Sequence, residues 1–456
     1  MSHCLSNGLP IGQKGGGNMG KRKGSEMNRR TFLKAAGVAA GATALTGIPG
    51  ILAAQKPPAY PKGTKLHMLQ WINFIPDGDK VFLAQAEKFG KQMGVEVFVE
   101  RIGMNDVRPK VTSSIEAKAG PDIALIPNNL AHLYTAALID VSDVAEAIGK
   151  DQGGYYEFAK ANAFSGGRWI AVPQFVYSWA WNYREDWFKE EGITKFPETW
   201  DEFREVGKKM KAKGRPIGQC FGHSENDPNN YLYALIWCFG GMEVEKDGKT
   251  VILDKKGTLE AIKYNTACWK DAFDEGGLTW DDASNNRAFL AGSLSITGNS
   301  PSIYIAARTK FPEIYKVMNH AAMPRGPAGR FYQLPSLNAG VFKYSKNQKL
   351  AKEFIRWYMD KKQYADWFHV MDTFAIPPTK EWYNDPVWAK DPKCTVFRDT
   401  IKDARVIGYA GPPGKKATEV LAKYIVVDMF VKAIQGASPE EALKWGATEM
   451  RKIYGA

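Results

Sequence analysis

Amide and acid side chains occur beside aromatic rings at several positions predicted to be loops. Trp71 and Asn73 follow the first predicted strand, and Asn128 and Asn129 follow a compact apolar strand that ends at Ile126. Amide groups can make two hydrogen bonds to a hydroxylated ligand, and an aromatic face can stack against the apolar side of a ring. Ligand contacts concentrate on loops at strand ends. These positions indicate noncovalent binding of a small polar solute.

A further polar segment runs from His223 to Asn230 with the sequence HSENDPNN, directly before an aromatic helix that begins at Tyr231. It includes Asp227 as well as four amide or imidazole side chains. Loop asparagines also form turns and cap helices, and a histidine such as His223 equally suits a structural role. The ligand-binding and structural interpretations of these side chains both stay open at this point.

Motifs for enzyme chemistry are missing from the chain. Gly248-Lys249-Thr250 ends like a phosphate-binding loop, but the glycine required five residues earlier is Glu243. The six histidines are never at metal-ligand spacing, and no serine lies in a nucleophile elbow. We therefore expect no enzyme activity, no metal and no cofactor. Since two facing carboxylates suffice for glycoside hydrolysis, an exported carbohydrate-active enzyme stays an alternative.

The charge of the chain argues against nucleic-acid binding. The formal net charge is +12, and residues 1–54 contain 7 Lys or Arg against 1 Asp or Glu, so +6 lies in that segment. The remaining +6 is spread over about 400 residues and forms no basic stripe. We expect no nucleic-acid partner.

An export signal of the twin-arginine type is predicted over residues 1–54. Arg29 and Arg30 precede a mildly apolar run from Ala35 to Ile48, which is too short to span a bilayer, and cleavage is expected near Ala54. Met27 is a possible true start. Residues 55–64 form a Pro-rich linker, and the mature protein is expected in the periplasm.

The elements that must position these loops alternate between strand and helix. The pattern predicts strands over residues 66–71, 95–102 and 123–126, with helices over 80–93 and 107–118 between them. Capping boxes predict further helix starts after Thr199 and Ser345, and Ser438 precedes a proline at the first helical position. A β-α-β-α-β order predicts an α/β fold with a mainly parallel sheet.

Six short segments together resemble the family 1, carbohydrate-type extracellular solute-binding proteins of ABC importers. They occur in the family's order over nearly the whole mature chain and comprise Trp71-Ile72-Asn73, Gly120-Pro121-Asp122-Ile123, Gly167 to Pro173, Phe196 to Trp200, Ala288 to Gly292 and Ala351 to Phe354. The resemblance implies a type II periplasmic binding protein fold, in which two discontinuous α/β lobes close by a hinge. It also implies a monomer that delivers a sugar or polyol to membrane permease subunits.

The landmarks of the family place the lobes on this sequence. Lobe 1 would comprise residues 65–174 and 339–374, and lobe 2 residues 175–338 and 375–456. The crossings would lie near residues 174–177, 337–340 and 374–377. Tyr177 and Trp179 then lie at the first crossing. Ser302 stands where relatives often carry a stacking tryptophan, with Tyr304 two residues on.

Thirteen residues are predicted to bind the ligand in the cleft between the lobes. They are Trp71, Asn73, Asp79, Asn128, Asn129, Tyr177, Trp179, His223, Asp227, Asn230, Asn299, Tyr304 and Asn338. An anionic solute, such as a sugar acid or a phosphorylated polyol, is the rival ligand class because of the residual positive charge and Arg405.

Overall fold

A computed structural model describes residues 60–455. The predicted export signal, its cleavage site, Met27 and residues 55–59 of the linker lie outside the described residues. The described chain alternates between helices and short strands, which confirms the predicted α/β class.

Over residues 60–455 the strands, in chain order, are β1 Lys65–Trp71, β2 Glu96–Ile102, β3 Ile123–Pro127, β4 Phe164–Ser165, β5 Arg168–Trp169, β6 Val172–Tyr177, β7 Ala180–Arg184, β8 Ile217–Gly218, β9 Ile296–Asn299, β10 Met318–Ala321, β11 Tyr332–Gln333, β12 Ser336–Val341, β13 Ala375–Ile376 and β14 Ala404–Arg405. The α-helices are α1 Pro76–Met93, α2 Met104–Ala117, α3 Ser142–Asp151, α4 Glu157–Ala163, α5 Glu185–Glu190, α6 Trp200–Lys211, α7 Asp227–Cys238, α8 Lys256–Ala272, α9 Ser284–Leu290, α10 Ser302–Lys310, α11 Pro312–Val317, α12 Gln348–Tyr358, α13 Lys361–Met371, α14 Thr395–Asp399, α15 Lys415–Ala422, α16 Ile425–Ile434 and α17 Pro439–Tyr454.

The first three strands form the predicted parallel unit. β1 pairs in parallel with β2 and with β3, and helices α1 and α2 connect them. β3 is buried at every position, and Leu66, Met68 and Leu69 of β1 are also buried. Because both faces of a parallel sheet are covered, β3 is wholly apolar, whereas β1 has Lys65, His67 and Gln70 among its apolar residues.

A six-stranded sheet has the order β13-β6-β12-β3-β1-β2. β6 lies between β12 and β13 and is antiparallel to both. These three neighbouring strands include most of the residues predicted as crossings between lobes. Three connections that lie side by side suit a hinge because their backbones can bend together. The lobe boundaries themselves stay a prediction.

A four-stranded sheet has the order β10-β7-β9-β8. The chain leaves the first sheet at Tyr177 and enters the second at Ala180, so only two residues connect them. α6 and α7 pack against this second sheet, and Trp181, Trp200 and Phe203 are buried there. The helical spacing of Trp200 and Phe203 predicts that both side chains lie in the core, and their burial confirms this.

Two of the three predicted helix caps are formed. Thr199 with Glu202 and Ser438 with Glu441 each form a reciprocal capping box. The prediction for Ser345 is wrong, because α12 begins at Gln348 with Asn347 as its N-cap. The Ser345 hydroxyl instead donates to Asp122 and accepts from the Asn347 amide.

Candidate functional site

A cavity lies between the two sheets. Its walls come from the ends of β1, β6 and β9, the start of α7, and the loops around them. The lining residues are Trp71, Phe74, Tyr177, Ser178, Trp179, Asn226, Asp227, Asn230, Asp282, Asn299, Ser300 and Phe374.

One wall is aromatic and belongs to the six-stranded sheet. Trp71 is the last residue of β1, and its ring lies 5.4 Å from the Tyr177 ring at 90° and 6.4 Å from the Phe374 ring at 21°. Phe74 contacts the same indole at 5.3 Å and is 38% exposed. Edge-to-face contacts of this kind fix the rings relative to one another. The wall therefore presents a rigid apolar surface to a ligand.

The opposite wall is polar and is built on the first turn of α7. Asp227 Oδ2 accepts hydrogen bonds from Asn285 Nδ2 at 2.8 Å and from Asn299 Nδ2 at 3.1 Å. Asp282 Oδ1 accepts from the Asp227 amide at 2.9 Å, and Asp282 Oδ2 accepts from Asn226 Nδ2 at 3.0 Å. Two carboxyl groups are thus held side by side in a buried amide network.

Burial raises the pKa of both acids. The pKa of Asp227 lies well above its ordinary value of 3.8, because burial disfavours its charge and Asp282 adds a like charge nearby. Burial likewise raises the pKa of Asp282. The positive end of α7 favours a negative Asp227, but its effect is smaller than that of burial. Such carboxyl groups in a cavity are characteristic of functional sites rather than of sites selected for stability.

We expect Asp227→Asn to stabilise the unliganded protein at neutral pH. An amide oxygen in the place of Asp227 Oδ2 still accepts from Asn285 and Asn299, while the buried charge is removed. Since the folded pKa is raised above 3.8, the wild type loses stability as pH rises above that value, and the variant does not. One pKa unit corresponds to about 1.4 kcal/mol, so a gain on the order of 1 kcal/mol is expected. Unfolding free energies measured at acidic and neutral pH check it, and a variant less stable than the wild type at neutral pH contradicts it.

Five buried polar atoms on the cavity residues have no hydrogen-bond partner among residues 60–455. These atoms are Tyr177 Oη, Ser178 Oγ, Trp179 Nε1, Asn226 Oδ1 and Asn230 Oδ1. All five side chains are more than nine-tenths buried. Leaving a buried polar atom unsatisfied costs about 1–3 kcal/mol, so this cluster indicates a surface built for a hydrogen-bonding ligand.

The Trp179 ring packs closely against β9. A Cβ atom at Gly298 would overlap the Trp179 ring, so glycine is needed at that position of the strand. The ring also contacts Trp181 edge-on at 5.1 Å. Trp179, which lines the cavity, is thereby held rigidly, and its Nε1 has no hydrogen-bond partner within the described chain.

Six of the thirteen predicted residues lie together in this cavity. They are Trp71, Tyr177, Trp179, Asp227, Asn230 and Asn299. The other seven do not line it, and each has a partner elsewhere in the described chain. Their role as ligand contacts stays a prediction that the geometry does not favour.

Asn73 and Asp79 stabilise the loop between β1 and α1. Asn73 Oδ1 accepts from the Ile75 amide at 2.9 Å, as in a turn. Asp79 accepts from the Asn73 amide at 3.2 Å and from Arg101 Nη1 at 3.0 Å. Both side chains thus organise the segment that carries Trp71 and Phe74.

Asn128, Asn129 and Asn338 bond to other parts of the chain. Asn128 Oδ1 accepts from Gln333 Nε2 at 3.1 Å, and Asn129 Nδ2 donates to the Pro413 carbonyl at 3.3 Å. Asn338 Nδ2 donates to the Asn128 carbonyl at 2.7 Å. These amides connect backbone segments around the cavity.

His223 and Tyr304 lie away from the cavity. His223 Nε2 is 2.6 Å from Asp428 Oδ1, and its ring stacks on Tyr424 at 4.3 Å. The Tyr304 hydroxyl bonds to Asp391. These contacts favour a structural role for His223, and its role as a ligand contact stays a prediction.

Six lining residues were absent from the prediction. They are Phe74, Ser178, Asn226, Asp282, Ser300 and Phe374. Ser178, Asn226 and Ser300 are direct neighbours of predicted residues, so extending each predicted segment by one residue finds them. Asp282 carries no local signal, because it lies in a short loop that only the fold brings to α7.

Two ion pairs each join a residue of the predicted lobe 1 to a residue of the predicted lobe 2. Arg108 of α2 places Nε 2.9 Å from Oε1 of Glu225, whose side chain is 2% exposed and which precedes the cavity residue Asn226. Arg308 of α10 places Nη2 2.6 Å from Oδ2 of Asp372. α2 packs against β1 and β3, whereas α7, which follows Glu225, packs against β9. The first pair therefore connects a helix that packs on the six-stranded sheet to the loop that precedes α7.

No helix among residues 60–455 combines the length and apolarity that crossing a bilayer requires. The same residues contain no cluster of three or more His, Cys, Asp or Glu side chains that could hold a metal ion.

Family models match two parts of the chain. Residues 84–396 match the family described as bacterial extracellular solute-binding protein. Residues 26–46 match the signal sequence of the twin-arginine translocation pathway. The second match confirms the predicted export signal and, with the first, the predicted periplasmic location.

Individual relatives are distant in sequence and similar in structure. A probable ABC transporter-binding protein of Deinococcus radiodurans is 28% identical over 305 residues, which cover 64% of this chain and 70% of that protein. The diacetylchitobiose binding protein DasA of Streptomyces coelicolor is 27% identical over 295 residues, which cover 61% of this chain and 65% of DasA. The maltose-bound structure of T. maritima MalE3 has a TM-score of 0.74 and 20% identity, covering 86% of this chain and 100% of that chain. This similarity confirms the predicted two-lobed α/β fold.

Proposed function

The chain belongs to the bacterial extracellular solute-binding protein family, and we propose that it captures a sugar or polyol in the cavity between its sheets. It then delivers the ligand, as a monomer, to the permease subunits of an ABC importer. The ligand bridges the two walls and favours the closed arrangement over an open one.

The pairing of an aromatic wall with unsatisfied polar atoms is the observation that supports this proposal. A sugar ring has apolar faces that stack on rings such as Trp71, and hydroxyl groups around its edge that bond to atoms such as Tyr177 Oη and Asn230 Oδ1. The relatives fit the same class, since DasA is named for diacetylchitobiose and the MalE3 structure contains maltose.

The two alternatives from the sequence are not favoured. An anionic solute would meet Asp227 and Asp282, and no Lys, Arg or His is among the described lining residues. Arg405 lies over the Phe331 ring, 3.2 Å from its centroid, and does not line the cavity. For the enzyme alternative, both relatives with printed functions are binding proteins of transporters, so we propose binding without turnover.

We expect a neutral or amino sugar, or a polyol, to raise the thermal unfolding midpoint of the purified mature protein, because a ligand that binds only the folded state stabilises it. A library of mono- and disaccharides, polyols, sugar acids and sugar phosphates tests this, with chromatography of the mixture for products.

Tyr177→Phe is the matched variant, because it keeps the ring and removes an unsatisfied hydroxyl. Its ligand affinity should fall by about 1–1.5 kcal/mol without loss of stability. Product formation, or stabilisation by acids and phosphates alone, contradicts the proposal.

A further inference from the structure

The polar wall of the cavity offers free hydrogen-bond acceptors. Asn226 Nδ2 is already bonded to Asp282, which leaves Asn226 Oδ1 as the free atom of that amide. Asn230 Oδ1 is also unsatisfied within the described chain, and the carboxyl groups of Asp227 and Asp282 lie in the same wall. Of the five unsatisfied atoms, Trp179 Nε1 is the one that can only donate. A ligand with N–H or O–H donors fits these acceptor atoms.

No cationic side chain of the described residues compensates the two carboxyl groups. The nearest candidates by sequence and fold are bound elsewhere, since Arg108 pairs with Glu225 and Arg287 lies 3.5 Å from the neighbouring Asp281. A buried carboxylate without a counter-charge is costly, and two in one wall repel each other. Neutral hydroxyl groups can satisfy the acceptor atoms but do not favour the charged carboxylates, whereas a cation offsets the burial that raises the pKa of both acids.

The aromatic wall is also suited to a positive charge. Trp71, Phe74, Tyr177 and Phe374 gather at one side of the cavity, and their faces carry the negative part of the ring quadrupole. A cation placed between these rings and the carboxyl groups is attracted from both sides. An anion at the same place is repelled from both sides.

We propose that the natural ligand carries a protonated amine, as in an amino sugar or an amino polyol, and that Asp282 and Asp227 bind this ammonium group. This inference rests on the proposed function and narrows its ligand class. The ammonium group supplies three donors to an acceptor-rich wall and the missing positive charge. The remaining hydroxyl groups bond to Tyr177, Ser178 and Asn230, and the ring or chain packs against Trp71.

Calorimetric titration with matched ligand sets tests the inference. Each set keeps one carbon skeleton and changes one substituent, as in glucosamine, glucose and N-acetylglucosamine, the corresponding galactose and mannose sets, and aminosorbitol with sorbitol. In the set that binds most tightly, the amine should bind about tenfold or more tighter than its neutral partner at near-neutral pH, because its hydrogen bonds are charge-assisted. Asp282→Asn should remove most of that advantage while changing the affinity for the neutral partner much less.

Asp281→Asn is the control for this variant. It makes the same substitution one residue earlier, at a side chain that pairs with Arg287 and does not line the cavity. It should keep the preference for the amine. The inference is overturned if a neutral, acetylated or acidic member of the sets binds as tightly as the amine or tighter, or if Asp282→Asn keeps the preference. Binding of a neutral member leaves the proposed function standing, whereas binding of no member in any set overturns both.

Discussion

Arg108→Ala should weaken ligand binding by at least about tenfold and shift the protein towards an open arrangement. The change leaves Glu225, which precedes the cavity residue Asn226, buried without its guanidinium partner. Breaking a buried ion pair from one side costs about 3–5 kcal/mol, and the lower end applies here because the Arg108 side chain is 26% exposed. Opening exposes Glu225 to water again, so most of this cost falls on the closed arrangement. The population of the closed arrangement therefore falls, and the apparent ligand affinity falls with it. Small-angle scattering and calorimetry measure the two effects.

Arg451→Ala is the matched control for this prediction. Arg451 Nη2 lies 2.7 Å from Asp254 Oδ2, but both residues belong to the predicted lobe 2 and both are partly exposed. An exposed pair contributes about 0–1 kcal/mol, so the control should bind normally. If Arg108→Ala binds ligand like the wild type and only unfolds earlier, the pair stabilises the fold and does not couple closure to binding.

Trp71→Ala should cost both stability and affinity. The indole is 4% exposed and packs against Tyr177 and Phe374, so its removal leaves a void in the aromatic wall. Replacing a buried aromatic residue by alanine destabilises by about 3–5 kcal/mol. Ligand affinity should fall by a further 1–3 kcal/mol or so, since the stacking face is lost. Denaturant unfolding and ligand titration of the folded variant separate the two losses.

Phe74→Ala separates ligand contact from packing in the same wall. Phe74 lines the cavity but is 38% exposed, so its loss should cost about 1 kcal/mol of stability or less. Affinity should still fall severalfold. Normal affinity in both Phe74→Ala and folded Trp71→Ala would mean that the aromatic wall does not contact the ligand.

The local elements were largely predictable because their signals are local. Hydrophobic periodicity predicted β1, α1, β2, α2 and β3 to within a few residues, and the capping box predicted at Thr199 is formed. The helix cap predicted at Ser345 is not formed, because the Ser345 hydroxyl donates instead to Asp122, more than two hundred residues away in sequence. A competing tertiary partner of this kind leaves no trace in the local pattern.

The candidate site was predictable only in part. Trp71, Tyr177, Asp227 and Asn299 combine a strand or helix end with a suitable side chain, and they line the cavity. Asn128 and Asn338 are asparagines like Asn299, but their side-chain amides bond to backbone carbonyls and to Gln333. An asparagine that contacts a ligand and one that connects two backbone segments have the same residue type and the same loop position. The sequence alone therefore does not distinguish them.

The sequence by itself determined the export signal, the α/β class, the early parallel unit and the general chemistry of a polar and aromatic binding surface, because each depends on residues that are close along the chain. Tertiary structure alone decided which side chains share the cavity, that Asp282 lies beside Asp227, and that Arg108 pairs with Glu225. These juxtapositions depend on how the two sheets and their loops pack, and packing is a property of distant residues acting together. The charge of the cavity, and with it the class of ligand that we propose, follows from those distant contacts.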